Sequence, residues 1–159
     1  MAIYNVFLLT KEQQYQIAAE RKIADLLKQQ NAEGWFPEYG GADLGYLSLT
    51  VEFLWKYYQL TRSQPVYDAL MKAGGFIACF IHPDGTCGGD YGSRNTDFFF
   101  PAAFEQMKST IPVANKILRL YYSALQNNLT PHPAIIDDRY LCFTYGNFIQ
   151  AMLNYGQGE

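Results

Sequence analysis

The sequence predicts an all-α fold of three tandem helical hairpins that repeat about every 51 residues. Three observations predict it. Apolar residues recur at helical spacing along six segments. Segments apolar along one stripe alternate with segments apolar nearly all round. Loops into the all-round segments run about 12 to 14 residues and those leaving them about four, so one end of the domain gathers all the long loops.

The expected elements follow in order. The first ten residues read as an extension, with an apolar run from Val6 to Leu9 but no basic leader or cleavage site. A first helix is expected from about Lys11 to Gln30, with Ala19, Ile23, Leu26 and Leu27 on one stripe. The loop Asn31–Asp43 carries Gly34, Pro37, Gly40 and Gly41 as breakers. A second helix, about Leu44–Leu60, is apolar on most faces. Pro65 suits the first turn of the third helix, which should stop near His82-Pro83. After a loop to about Thr96, a fourth helix is expected over Asp97–Lys108, with Phe98, Phe99, Phe100 and Pro101 in its first turn. A fifth follows Pro112 and ends near Gln126, striped by Val113, Ile117, Leu120 and Ala124. A third long loop leads to a sixth helix, about Arg139–Tyr155. The second, fourth and sixth helices should be inner and more buried, and the others should wrap around them.

Composition narrows the function. Of 159 residues, 49% are hydrophobic and 17% charged, which fits a single ordered domain spanning residues 1–159. Aromatic residues are many, with 13 Tyr and 11 Phe, and the amphipathic Tyr suits walls that are part core and part wet cleft. A net charge of −3 with scattered Lys and Arg argues against nucleic acid. No apolar run is long enough to span a membrane. Cys79, Cys87 and Cys142 match no zinc spacing and read as reduced thiols of a cytoplasmic protein. Cys79 is expected in the core, and Cys87, in a loop, is the one cysteine to watch. His82 and His132 lie away from Cys or carboxylates at ligand spacing, so neither a metal nor another cofactor is expected.

Two loops share a pattern. Glu33-Gly34-Trp35 precedes Glu38-Tyr39-Gly40, and Asp84-Gly85-Thr86 precedes Asp90-Tyr91-Gly92. Gly34 and Gly85 are 51 positions apart, and Tyr39 and Tyr91 are 52 apart. The segments Gln30-Asn31-Ala32-Glu33-Gly34-Trp35 and Asp84-Gly85-Thr86-Cys87-Gly88-Gly89 resemble loops of the α/α-toroid families. The likeness is to the Gln-x-x-Asp-Gly-x-Trp and Asp-Gly-x-x-Gly-Gly loops of terpenoid cyclases and prenyltransferase β-subunits. Here the first motif is one residue short and has Glu for Asp. The loop alternation is also similar to that of polysaccharide lyases, uronyl epimerases and helical-hairpin glycosidases. The resemblance implies an α/α-toroid-like arc. A closed ring of six hairpins needs roughly 300 residues at this period, so three make an open arc, a fragment or half of an assembly.

The chemistry-bearing segment is Asp90-Tyr91-Gly92-Ser93-Arg94-Asn95-Thr96. Arg94 and Asn95 are placed to neutralise a uronate carboxylate. Tyr91 is the candidate base, provided that Arg94 lowers its phenol pKa. Similarity to toroid lyases implies Tyr in that role. Glu38 and Asp90 are a candidate carboxylate pair for glycoside hydrolysis. Trp35, Tyr39, Asp84 and Asp138 are candidate substrate-binding residues. Plainer roles compete: Asn95 or Thr96 as a helix N-cap, Arg94 paired with Asp90, and each acid bracing its own loop. The favoured function is a carbohydrate-active domain, whether lyase, epimerase or hydrolase, acting on an oligosaccharide at the long-loop end. A non-catalytic binding or scaffold domain and a terpenoid-cyclase-like relic are the alternatives. Apolar inner helices at the edges of an arc predict a homodimer, or an N-terminal segment folded back over one edge.

Overall fold

Residues 1–136 and 138–156 are described in the computed structural model, without the side chains of Arg94, Asp138, Arg139 and Phe143. Among them lie seven α-helices: α1 (Ala2–Thr10), α2 (Gln13–Leu27), α3 (Leu44–Thr61), α4 (Gln64–Phe80), α5 (Ala102–Met107), α6 (Val113–Gln126) and α7 (Asp138–Asn154). The fold is all-helical.

Local chemistry sets the breaks. Lys11, at φ 61°, ends α1 with its N–H on the Phe7 carbonyl. The extension expected at the N-terminus is therefore helical. Tyr4 is buried with its ring 5.2 Å from that of Tyr57, and Met1, Ile3, Phe7 and Leu8 pack on the core. Arg62, at φ 54°, closes α3, and Pro65 enters the first turn of α4.

The neighbour relations run in two series. The helices α2, α4 and α6 pack in sequence, as do α3, α5 and α7, and the series join through the pairs α3·α4 and α5·α6. Between them lies a core that includes Val51, Leu54, Leu70, Ile77, Phe99, Phe104, Met107, Ile117 and Tyr121. Hydrogen bonds set α3 beside the chain leading into α5, in parallel. Asp43 accepts from Ser93, the Ser48 hydroxyl from the Phe100 N–H, and Gln106 from the Trp55 indole N–H. The paired positions are 50, 52 and 51 residues apart.

Three expectations need correction. The fourth helix does not begin at Asp97: residues 96–101 are non-helical and α5 starts at Ala102. Pro101 disfavours helix at Phe100, and the Phe100 N–H binds the Ser48 hydroxyl instead of a helical carbonyl. The sixth helix is not a buried one. Tyr145, Ile149, Met152 and Leu153 of α7 are exposed, because this helix ends its series and packs only against α5 among the described helices. Cys79 is not in the core. Cys79 is exposed on α4, whereas Cys87 is buried. Burial pushes the Cys87 thiol up to about 12, helped by Asp97 and Asp43. It is therefore a protonated, poorly nucleophilic thiol at neutral pH.

Candidate functional site

The loops 28–43 and 81–101 are built from one recurring turn. Gly34 N–H donates to the Asn31 carbonyl, and Asn31 N–H to the Trp35 carbonyl. Gly85 N–H likewise donates to the His82 carbonyl, and His82 N–H to the Thr86 carbonyl. In the third loop Ile135 N–H donates to the His132 carbonyl. Gln30 fastens the first turn: its amide donates to the Gly34 and Ala69 carbonyls, both at 2.9 Å. The motif Gln30–Trp35 is thus a fastening of loop to α4, and the Trp35 indole N–H goes to Glu33 at 3.0 Å.

Asp43 joins the two loops. It is 3% exposed and N-caps α3 by accepting from Tyr46 N–H. Its other oxygen accepts the Ser93 N–H at 2.6 Å and the Ser93 hydroxyl at 2.7 Å. One carboxylate therefore fixes the start of α3 and the Ser93–Asn95 turn together.

Tyr91 is held inside its own loop. Its hydroxyl accepts the Gly88 N–H at 2.9 Å and lies 3.0 Å from the Phe80 carbonyl and 2.9 Å from His82 Nε2. His82 Nδ1 is 2.7 Å from the Thr86 hydroxyl, which donates to Asp84. The backbone and hydroxyl donors of Thr86 hold the Asp84 carboxyl below its ordinary value. Burial raises the Tyr91 phenol, opposite to the lowering a general base at neutral pH requires.

A continuous row of rings runs from the first loop to α3 and the segment before α5. Tyr39 meets Tyr46 at 6.0 Å, Tyr46 meets Phe98 at 5.6 Å, and Phe98 meets both Tyr140 and Phe100 at 5.5 Å. Phe100 then lines a pocket of about 240 Å³ together with Glu52, Phe53, Lys56, Asn147 and Gln150. Glu52 is 3% exposed. One of its oxygens sits 2.7 Å from Lys56 Nζ, and the other has no hydrogen-bond partner among the described residues. Glu52 is thus a buried, half-satisfied carboxylate beside a charge partner and two amides, Asn147 and Gln150.

The residues singled out from the sequence are distributed as follows. Tyr39 belongs to the ring row and is largely exposed, in a left-handed conformation at φ 49°. Glu38 flanks it, its N–H and carbonyl paired with Gly41. Asp90 is exposed beside Tyr91. Asn95 is exposed at φ 54° within the turn and does not start a helix. Trp35 and Asp84 lie within their own turns, as given above. The Arg94 and Asp138 side chains lie outside the described residues, as does Asp137. Sequence reasoning missed Asp43, Tyr46, Glu52 and His82. Asp43 left the clearest signal, an Asp immediately before an apolar helix start. Among the described residues no His, Cys, Asp and Glu side chains converge to hold a metal ion, and no helix is long and apolar enough to cross a membrane. Comparison with protein-family models, curated proteins and solved structures finds no match.

Proposed function

We propose that this chain is an α/α-toroid-type arc of three hairpins that binds a glycan along its inner face. The continuous ring row from Tyr39 through Tyr46, Phe98 and Phe100 to the Glu52 pocket carries the reading. Sugar rings offer apolar faces to aromatic side chains and hydroxyls to carboxylates and amides; Tyr39 and the half-buried Tyr46 are the accessible rings of the row, and the buried Phe98 and Phe100 back them. The two neighbour series support the arc, as do the bonds between positions 50 to 52 apart. Glu52 and Lys56 neutralise one another, so a neutral sugar is favoured at the inner end. Tyr91 serves in this reading as a loop brace and not as a base.

Titration calorimetry with xylo-, cello-, manno- and chito-oligosaccharides tests it. Tyr46→Ala should weaken binding about tenfold, since ring stacking contributes about 0.5–1.5 kcal/mol beyond area. Failure of every sugar to bind the wild-type chain would end the proposal.

A second copy of the chain is the proposed cover for α7, where Ile149, Met152 and Leu153 are exposed. Light scattering should report twice the 18.1 kDa chain mass at micromolar concentration, and a monomer mass would refute this pairing.

A further inference from the structure

A concavity of about 630 Å³ is lined by α6 together with Glu105 and Lys108 at the end of α5 and by Tyr155 and Gly156 after α7. Its size is in the range that accepts small molecules. Lys108, Lys116 and Arg119 line it, three of the 12 Lys and Arg residues in a chain whose net charge is −3. Lys116, Arg119 and Ser123 lie at helical spacing on one face of α6. Their concentration has a sequence cause: no Asp or Glu occurs from Gln106 through Ile136.

Among the described lining residues the one carboxylate, Glu105, is ion-paired. Glu105 is 4% exposed and lies 3.1 Å from Lys108 Nζ. It holds Lys108 in place at the cavity wall. Lys116 and Arg119 are exposed and have no acidic partner among the described residues. Neutral donors, Asn115, Ser123 and Gln126, complete the lining. Several donors and unneutralised cations around one concavity suit an anion with many oxygens. Arg in particular matches phosphate with its planar fork.

We propose that this cavity binds a small molecule carrying two or more phosphate groups. The site is separate from the ring row, and the proposal does not depend on glycan binding.

Inorganic pyrophosphate and ATP are the probes, titrated calorimetrically into the full chain at low salt, with citrate as a polycarboxylate arm. Pyrophosphate or ATP should bind more tightly than citrate, and raising the salt should weaken binding because exposed cations are screened. The double variant Lys116→Ala/Arg119→Ala should weaken it about tenfold or more. Both side chains are exposed, so the variant should melt like the wild type. Lys72→Ala removes an exposed cation of α4 that does not line the cavity, and should leave affinity unchanged. The proposal is overturned if neither phosphate compound binds, if citrate binds as tightly, or if Lys72→Ala weakens binding as much as the double variant.

Discussion

Gly85→Ala is expected to lower stability by about 3 kcal/mol and the melting temperature by about 10 °C. Gly85 sits at φ 85°, where an L side chain is strained by roughly 1–2 kcal/mol. A Cβ there would also lie 1.9 Å from the Leu120 backbone oxygen and 3.0 Å from the Ala124 Cβ. The first obstacle is main chain of α6, so no side-chain rotation relieves it. The loop must lift from the helix, at about 1–3 kcal/mol for overpacking. Gly34→Ala should behave alike: it is at φ 113°, with a Cβ 2.3 Å from the Lys72 carbonyl oxygen of α4. Gly75→Ala is the opposing control. It lies within α4 with open space around a Cβ, so alanine should stabilise by about 0.5–1 kcal/mol. Urea unfolding of the three variants checks the set, and a Gly85→Ala loss under about 1 kcal/mol would refute the close approach.

The same two glycines explain what was legible in the sequence. Gly34 and Gly85 were visible as a spacing of 51, and each proves to be the point where a loop touches the next helix of the α2·α4·α6 series. Helix periodicity was legible for the same reason: the buried residues Val66, Ala69, Leu70, Ala73 and Ile77 line one side of α4. The three phenylalanines at 98–100 misled, because hydrophobicity alone does not separate a buried extended segment from a helix. The bond from Phe100 N–H to Ser48 reaches 52 residues back in sequence, and local pattern cannot encode it. The exposure of α7 escaped for a related reason, since an apolar composition does not reveal how many neighbours a helix has.

The candidate site was legible only in part. Tyr39 and Tyr91 both stood out in acid-Tyr-Gly triplets, yet Tyr39 joins the ring row and Tyr91 turns inward to Gly88, Phe80 and His82. Nothing in a triplet fixes which way its ring points. Glu52 escaped because a Glu four residues before Lys56 reads as an ordinary surface pair on a helix. Its burial comes from the neighbouring segment, whose Phe100 lines the same pocket.

Asp43→Ala should cost about 3 kcal/mol, more than the roughly 1 kcal/mol typical of a lost N-cap. The excess comes from Ser93. Asp43 is 3% exposed and accepts from Tyr46 N–H with one oxygen and from the N–H and hydroxyl of Ser93 with the other. Hydrogen bonds to a charged group contribute about 1.5–3 kcal/mol each, and the part-buried donors of Tyr46 and Ser93 would lose their partner. Asp43→Asn separates the two duties. Its carbonyl can still cap α3, but its NH2 would face the Ser93 N–H, donor against donor, so most of the loss should persist. Ser93→Ala removes the hydroxyl and keeps the N–H, and should cost about 1 kcal/mol. Because Ser93 then has less to lose, the Asp43→Ala/Ser93→Ala double variant should be less destabilised than the two single losses combined. Urea unfolding of the four variants measures this coupling. Strict additivity, or an Asp43→Ala loss no larger than that of an ordinary cap, would show that the carboxylate does not tie the Ser93–Asn95 turn to the start of α3.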